Sequence, residues 1–210
     1  RTVDVINAGN GRVILREGNH EDVLRLRELK KGFARIAFRT EEENNFSMNI
    51  QIVPIGLFYT DYEKFRSTLI IHFGAPIAVA DFYHLYKENR AIAITQLKDH
   101  LSDAIKALII HIESEDNYEL FKEICKFRDA QLFAEKQPKL KLEERQFFAK
   151  KELITGLENA NKKKPEQFFL LKDDIDQFSS LINKSVFDYQ TFEKEPPSFV
   201  TLFFHSLTIL

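Results

Sequence analysis

Cysteine is almost absent from this chain of 210 residues, in which Cys125 is the sole example. A single thiol cannot form an intramolecular disulfide, a cysteine-based zinc site or a redox pair. Glycine is also scarce, at seven residues, so the sequence offers few tight turns. This scarcity favours helices and long elements over a many-stranded sandwich.

An excess of charge of one sign is lacking as well, because 30 basic and 32 acidic residues leave a net charge of −2. Residues up to Asp116 hold 15 bases and 17 acids, and the remainder holds 15 of each. Neither half is strongly basic, so we expect no nucleic-acid partner. The length suits one domain, or one domain with an appendage.

The two ends of the sequence show no secretory signal and no apolar run long enough to span a bilayer. Residues 1–4 contain neither an initiator Met nor an apolar signal region, and we expect the chain to be a fragment. Residues 199–210 are nearly charge-free, but they are fewer than the roughly 20 apolar residues that span a bilayer. Two interpretations stay open for this run: the start of a longer hydrophobic segment, or a buried terminal strand or helix.

Hydrophobic patterns in the first half predict strands at residues 13–15, 50–59 and 67–73 and an amphipathic helix over 29–43. Pro54 restricts the ladder hydrogen bonds that its strand can make. The order strand, helix, strand, strand predicts an α/β fold with a central sheet and flanking helices.

The second half is predicted to be helical from Asp81, a candidate N-cap. An apolar stripe predicts a helix over 90–112. Further helices are predicted near residues 117–134, 142–161 and 165–183. We place a boundary near 114–117, where a charged helical appendage begins.

A cationic segment follows the first predicted strand, since residues 25–39 hold six bases and one acid. Lys31 and Arg35 are one helical turn apart, and Lys31 precedes Gly32 at the predicted start of the helix. Free backbone N–H groups and the helix dipole favour an anion there, which predicts a phosphate-binding site. A solvated basic face paired with the acidic residues 41–43 explains the same charges, and the pattern does not separate the two interpretations.

Four short motifs occur in a fixed order along the chain. They are Glu17-Gly18-Asn19, Leu29-Lys30-Lys31-Gly32-Phe33-Ala34-Arg35, Ile52-Val53-Pro54-Ile55-Gly56 and Phe73-Gly74-Ala75-Pro76-Ile77. Over about residues 12–80, this order resembles the glycerol-phosphate acyltransferase superfamily, and within it the bacterial type of lysophosphatidic acid acyltransferase. The resemblance implies that residues 1–115 are the C-terminal part of an acyltransferase α/β domain, followed by the appendage 116–210.

The resemblance implies transfer of a fatty acyl group from acyl-CoA or acyl carrier protein to lysophosphatidate, a lysophospholipid acceptor, in phospholipid synthesis. It implies no metal or other cofactor, and a place on the cytoplasmic side of the membrane, in contact with the membrane surface. Glu17 and Gly18, with Asn19 beside them, match the family motif that holds the glycerol phosphate of the acceptor. Lys31 and Arg35 join this predicted substrate site because of the anion geometry described above.

The family's general base is a His in a His-x4-Asp motif that precedes the Glu-Gly motif. The sixteen residues before Glu17 contain no His, so we predict no catalytic residue in this chain and an inactive fragment. His111 and Asp116 have the same spacing, but they follow the other motifs, and we interpret His111 as a packing or helix-end residue. His20 lies in the motif loop, where it is a solvated side chain or a phosphate contact.

Leu15-Arg16 stands where the family has Phe-Pro. This difference favours a second interpretation, a non-catalytic acyltransferase-like module that binds a membrane or protein partner. A third interpretation is an unrelated phosphate-binding α/β protein, for which the cationic helix alone would suffice.

Overall fold

The computed structural model describes residues 2–14, 23–61, 65–127 and 139–163, together with residues 166, 169, 172 and 173. Several sequence predictions fall outside these residues. They concern Leu15-Arg16, the motif Glu17-Gly18-Asn19, His20, the end of the helix 117–134, most of the helix 165–183, and the apolar run 199–210.

The described residues are mostly helical. The α-helices are α1 (Thr2–Asn7), α2 (Gly32–Glu43), α3 (Tyr83–Glu88), α4 (Arg90–Leu108), α5 (Tyr118–Phe127) and α6 (Leu142–Lys163). The strands are β1 (Gln51–Ile52), β2 (Ile55–Tyr59), β3 (Leu69–Phe73) and β4 (Ile77–Ala78), and a 3-10 helix spans Val79–Phe82. No described helix is both long enough and apolar enough to cross a membrane.

The strands form two separate antiparallel sheets of two strands each, β1 with β4 and β2 with β3. The predicted central sheet is therefore not found among the described residues. Pro54 explains part of the difference, because it lacks an N–H and divides the predicted strand 50–59 into β1 and β2. The carbonyl of Pro54 still accepts a hydrogen bond from the Gly74 N–H at 2.9 Å.

The predicted strand at 13–15 is also wrong for its two described residues. Val13 and Ile14 lie outside any helix or strand and are exposed. Val13 and Ile14 have no strand partner among the described residues, so their backbone groups are not satisfied in a ladder there.

Two predicted helix ends need correction. Asp81 lies inside the 3-10 helix and caps nothing, whereas Asn89 caps α4 by accepting hydrogen bonds from the N–H groups of Ala91 and Ile92. The helix predicted over 90–112 ends at Leu108, because Ile109 adopts an extended conformation.

The chain divides into two compact units, one of Arg1–Tyr62 with Leu69–Ile109 and one of Glu63–Thr68 with Ile110–Leu210. The core of the first unit lies between α2, α3 and α4 and includes Leu29, Ala34, Ala37, Phe38, Ile77, Val79, Tyr86, Ala93, Leu97 and Leu101. In the second unit the buried apolar residues lie on α5, on α6 and in the segment that precedes them. That these parts are an acyltransferase portion, 1–115, and an appendage, 116–210, stays a prediction.

The β2–β3 hairpin has two unlike faces. On one face a Cβ added to Gly56 would lie 2.5 Å from the Leu108 carbonyl oxygen, and the His72 ring Nδ1 lies 3.2 Å from the same oxygen. The register places six apolar side chains on the other face, Ile55, Leu57, Tyr59, Leu69, Ile71 and Phe73. Five of these six are between 41% and 68% exposed.

Candidate functional site

The candidate site lies at the start of α2, which begins at Gly32, three residues after the predicted start at 29. Leu29 anchors the segment that leads into α2, because its side chain is buried in the core of the first unit. Lys31 is the N-cap residue, and its side chain does not cap the helix. The first N–H groups of an α-helix have no intrahelical acceptor, so this end of α2 carries hydrogen-bond donors and a partial positive charge.

Lys31 is exposed, and its amine is held in place by a neutral group. Its Nζ donates a hydrogen bond to Thr95 Oγ1 on α4 at 2.9 Å. Because a hydroxyl carries no charge, this bond positions the ammonium without neutralising it. An ammonium has three N–H donors, so two remain for a ligand.

Arg35 lies one turn further along α2 on the same side as Lys31, and it is exposed. Within the part of the chain that the structure describes, its guanidinium has no hydrogen-bond or ion-pair partner. A guanidinium can bind a phosphate through two parallel hydrogen bonds. Lys31 and Arg35 are thus the two predicted site residues that the structure places on one surface.

Two neighbouring cations, Arg39 and Lys98, differ from these two because each has an acidic partner. Arg39 Nε lies 2.8 Å from Glu43 Oε1, and this hydrogen bond raises the pKa of Arg39. Lys98 on α4 lies 3.0 Å from Asp99 and 3.5 Å from Glu28, and the bond to Asp99 is the main cause of its raised pKa.

The acidic residues 41–43 do not neutralise the whole cationic face. Glu43 pairs with Arg39, Glu42 pairs with Arg90 of α4, and Glu41 is buried. The solvated-face interpretation therefore holds for Arg39, whereas Arg35 keeps its charge exposed and unpaired among the described residues.

Sequence reasoning missed Thr95 at this site and the role of Glu41 near the other end of α2. Thr95 gave no signal, because a single threonine on an amphipathic helix has no distinctive pattern. The sequence pattern predicts that Glu41 belongs to a surface acidic run, but its side chain is fully buried and accepts hydrogen bonds from the Met48 N–H at 3.1 Å and the Ile50 N–H at 2.7 Å. Its position in the buried stripe of α2, with Ala34, Ala37 and Phe38, is the signal that would have found it.

Glu41 also influences the aromatic residues beside it. Burial is the main cause that raises the pKa of Tyr83, and the Glu41 carboxylate adds to it. The Tyr83 hydroxyl oxygen is buried and lacks a hydrogen bond of normal geometry. Phe46 packs edge-on against Tyr83, at 5.0 Å between ring centroids.

The remaining candidates contribute no second site. The described residues contain no group of three or more His, Cys, Asp or Glu side chains that could hold a metal ion. His111 is half-buried and follows the end of α4, between the buried residues Ile110 and Ile112. In the second unit, a shallow concavity of about 510 Å³ on α6 is lined by Phe148, Lys151, Glu152, Thr155, Gly156 and Asn159. A concavity on a single helix offers no convergent groups for chemistry.

Similarity to known proteins covers a part of the chain. Glycerol-3-phosphate O-acyltransferase 1 of Saccharomyces cerevisiae is 32% identical over 101 residues, 46% of this chain and 13% of that protein. An uncharacterized acyltransferase of Schizosaccharomyces pombe is 29% identical over 96 residues, 45% of this chain and 14% of that protein. Glycerol-3-phosphate O-acyltransferase 2 of Saccharomyces cerevisiae is 29% identical over 93 residues, 44% of this chain and 12% of that protein.

No protein-family model and no solved structure matches the chain. The chain spans about an eighth of the length of the curated relatives it matches, from 12% to 14%. It therefore shows a distant and partial similarity to glycerolipid acyltransferases, which confirms the resemblance at that level.

Proposed function

We propose that this chain is part of a glycerolipid acyltransferase and that the start of α2 binds the phosphate of the acceptor. The donor is acyl-CoA or acyl carrier protein, and the acceptor is lysophosphatidate. The observation that carries this proposal is the contrast among the cations: Lys31 and Arg35 keep exposed charges at a helix start, whereas Arg39 has an acidic partner.

Arg35 and Lys31 can bind a phosphate in two different ways. The Arg35 guanidinium can donate two parallel hydrogen bonds to phosphate oxygens in its plane, and the Lys31 ammonium adds a point charge and two further donors. The free N–H groups at the start of α2 favour the same anion. The motif Glu17-Gly18-Asn19, which the resemblance assigns to the same acceptor, lies outside the described residues.

The reaction itself transfers an acyl group from the thioester sulfur of the donor to the hydroxyl oxygen of the acceptor. The acceptor hydroxyl attacks the thioester carbonyl carbon, a C–O bond forms, the C–S bond breaks, and the sulfur leaves as a thiolate that takes up the proton held by the base to become the thiol. The hydroxyl proton passes to a general base, which the resemblance assigns to a His-x4-Asp motif outside this sequence. The contribution of this chain is to fix the phosphate, and hence the hydroxyl, relative to that base.

Glycerol 3-phosphate is a second candidate acceptor, because two of the similar proteins are named for it. It carries the same phosphate as lysophosphatidate and lacks the acyl chain. Lys31 and Arg35 would therefore bind the phosphate of either acceptor in the same way, and only a direct comparison of reaction rates distinguishes the two acceptors.

The test uses the protein expressed from its complete reading frame and measures thiol release from acyl-CoA. Rates are compared with lysophosphatidate, with glycerol 3-phosphate, and without acceptor. We expect Lys31→Met and Arg35→Met each to raise the acceptor KM by at least about tenfold, as the loss of a charged hydrogen bond implies. Arg39→Met is the matched control and should leave KM within about twofold, because exposed ion pairs contribute little.

Three results would contradict the proposal. Thiol release that does not depend on acceptor would argue against acyl transfer to a glycerolipid. Equal effects of Arg35→Met and Arg39→Met would remove the phosphate assignment. Binding to anionic vesicles or to a protein partner without any transfer would favour the non-catalytic module instead.

The membrane surface is the proposed location of the reaction, on its cytoplasmic side, because lysophosphatidate is a membrane lipid. Vesicles with and without anionic lipid test this part separately. Binding that falls steeply as salt rises would support a charged contact with the headgroups.

A further inference from the structure

The hydrogen bond between Lys31 and Thr95 joins the candidate site to a helix far away in the sequence. The two residues are 64 positions apart, and the Lys31 Nζ lies 2.9 Å from Thr95 Oγ1. Thr95 Oγ1 also donates a hydrogen bond to the Ala91 carbonyl, one turn earlier on α4, at 2.9 Å. The hydroxyl thus has two partners with distinct roles.

The hydrogen bond from Thr95 to the Ala91 carbonyl determines which atom is the donor in the bond between Thr95 and Lys31. A hydroxyl has one hydrogen and two lone pairs, and the hydrogen of Thr95 is directed at the Ala91 carbonyl. The lone pairs remain for the Lys31 ammonium, which can only donate. A threonine on a helix is restricted at χ1, so its oxygen is a fixed acceptor for the amine.

We propose that Thr95 is a positioning residue, which holds the Lys31 ammonium in place for the acceptor phosphate. This inference rests on the proposed function, because it assigns Lys31 a phosphate ligand. Lysine has a long side chain with many rotamers, and ordering it when a ligand binds opposes binding. The bond to Thr95 orders the side chain beforehand, so less freedom is lost when the phosphate arrives.

Thr95 suits this role better than an acidic residue would. Lys98, one turn further along α4, is held by Asp99 and Glu28, which neutralise its charge. A carboxylate at position 95 would fix Lys31 equally well, but it would repel a phosphate. The neutral hydroxyl of Thr95 holds the Lys31 ammonium in place without repelling the phosphate.

The test replaces Thr95 with valine, which keeps the branched shape and removes the hydroxyl. Thr155→Val is the matched control, because Thr155 on α6 makes the same bond to the carbonyl four residues earlier, at 2.9 Å. We expect Thr95→Val to raise the acceptor KM about fivefold, with kcat within about twofold, whereas Thr155→Val changes neither. Thr95→Ser keeps the hydroxyl and should restore most of the affinity.

A double-mutant cycle then tests whether Thr95 acts through Lys31. Once Lys31→Met has removed the amine, adding Thr95→Val should cause no further rise in KM. An undiminished effect of Thr95→Val in the Lys31→Met background would overturn the positioning role. An effect of Thr155→Val as large as that of Thr95→Val would overturn it too.

A spectroscopic measurement separates this inference from the proposed function. In a 15N-detected spectrum of the lysine ammonium groups, the Lys31 signal should shift in Thr95→Val and remain in place in Thr155→Val. If the Lys31 signal shifts and Lys31→Met raises KM, but Thr95→Val leaves KM unchanged, the positioning role is wrong and the proposed function stands. If Lys31→Met itself leaves KM unchanged, the phosphate assignment fails and the positioning role fails with it.

Discussion

Replacing Glu41 with alanine should release the loop that connects α2 to β1. The Glu41 side chain is 0% exposed, and its two carboxylate oxygens accept hydrogen bonds from the N–H groups of Met48 and Ile50. Both donors belong to the loop that follows α2. The carboxylate therefore substitutes for backbone acceptors that an irregular segment does not have.

This loop needs an anchor because its backbone is strained. Asn45, Phe46 and Asn49 have φ values of 52°, 58° and 52°, in the left-handed region that side chains disfavour. Asparagine tolerates this region, but phenylalanine adopts it at a cost of about 1 kcal/mol or more. The bonds to the Glu41 carboxylate help to offset this strain, together with backbone bonds such as that from the Phe46 N–H to the Glu41 carbonyl.

The magnitude follows from the two hydrogen bonds. A hydrogen bond to a charged group contributes about 1.5 to 3 kcal/mol, so we expect Glu41→Ala to reduce the free energy of loop opening by about 3 kcal/mol. Glu41→Gln keeps one acceptor oxygen and should cost about half as much. Glu42→Ala is the matched control, because Glu42 is partly exposed and its ion pair with Arg90 is worth about 0.5 kcal/mol.

Amide hydrogen exchange at Met48 and Ile50 is the appropriate assay. The chain has two compact units, so a single unfolding midpoint does not report on this loop. A loss of about 3 kcal/mol lowers protection of these two amides by about 100-fold. Unchanged protection in Glu41→Ala, or equal losses in Glu41→Ala and Glu42→Ala, would refute the reasoning.

Two further predictions concern packing and burial. Gly56→Ala should destabilise the first unit by about 2 kcal/mol or more in urea unfolding, because its Cβ would lie 2.5 Å from the Leu108 carbonyl oxygen. Gly32→Ala meets no atom within 4 Å and is the control; equal effects of the two would contradict the packing argument. Burial raises the pKa of Cys125 to about 12 from 9.0, so the native thiol should react slowly with a disulfide reagent at pH 8 and readily in urea. Rapid labelling of the native thiol would contradict this burial. Because the raised pKa of Cys125 favours the folded state below pH 9.0, the contribution of this thiol to stability should decline as pH rises above 9.0.

Local patterns predicted the helices better than they predicted the sheet. The apolar periodicity that predicts helices over 29–43 and 142–161 corresponds to α2 and α6. A helix satisfies its own backbone, so its pattern is a local property. A sheet depends on which strands meet, and the sequence pattern at 50–59 did not reveal that Pro54 would divide it between two partners.

The candidate site was predictable only in its charges. Lys31 and Arg35 follow from helical spacing and from the concentration of bases in residues 25–39. The partner of a base can also lie on another helix, as the contact from Lys31 to Thr95 shows. Spacing along one helix cannot identify a partner on another, and for that reason Thr95 was missed.

The two faces of the β2–β3 hairpin should differ in how well they tolerate amino-acid substitutions, although both are formed by the same ten residues. Single substitutions on the exposed face should be tolerated better than substitutions on the face that adjoins α4. Gly56 and His72 adjoin the end of α4, and Gly56 leaves no room there for a Cβ. Leu57 and Ile71, directly opposite each other on the outer face, would accept polar residues at little cost to the hairpin itself. Polar substitutions at Leu57 and Ile71 are therefore the ones to choose when the aim is to increase solubility and preserve the fold.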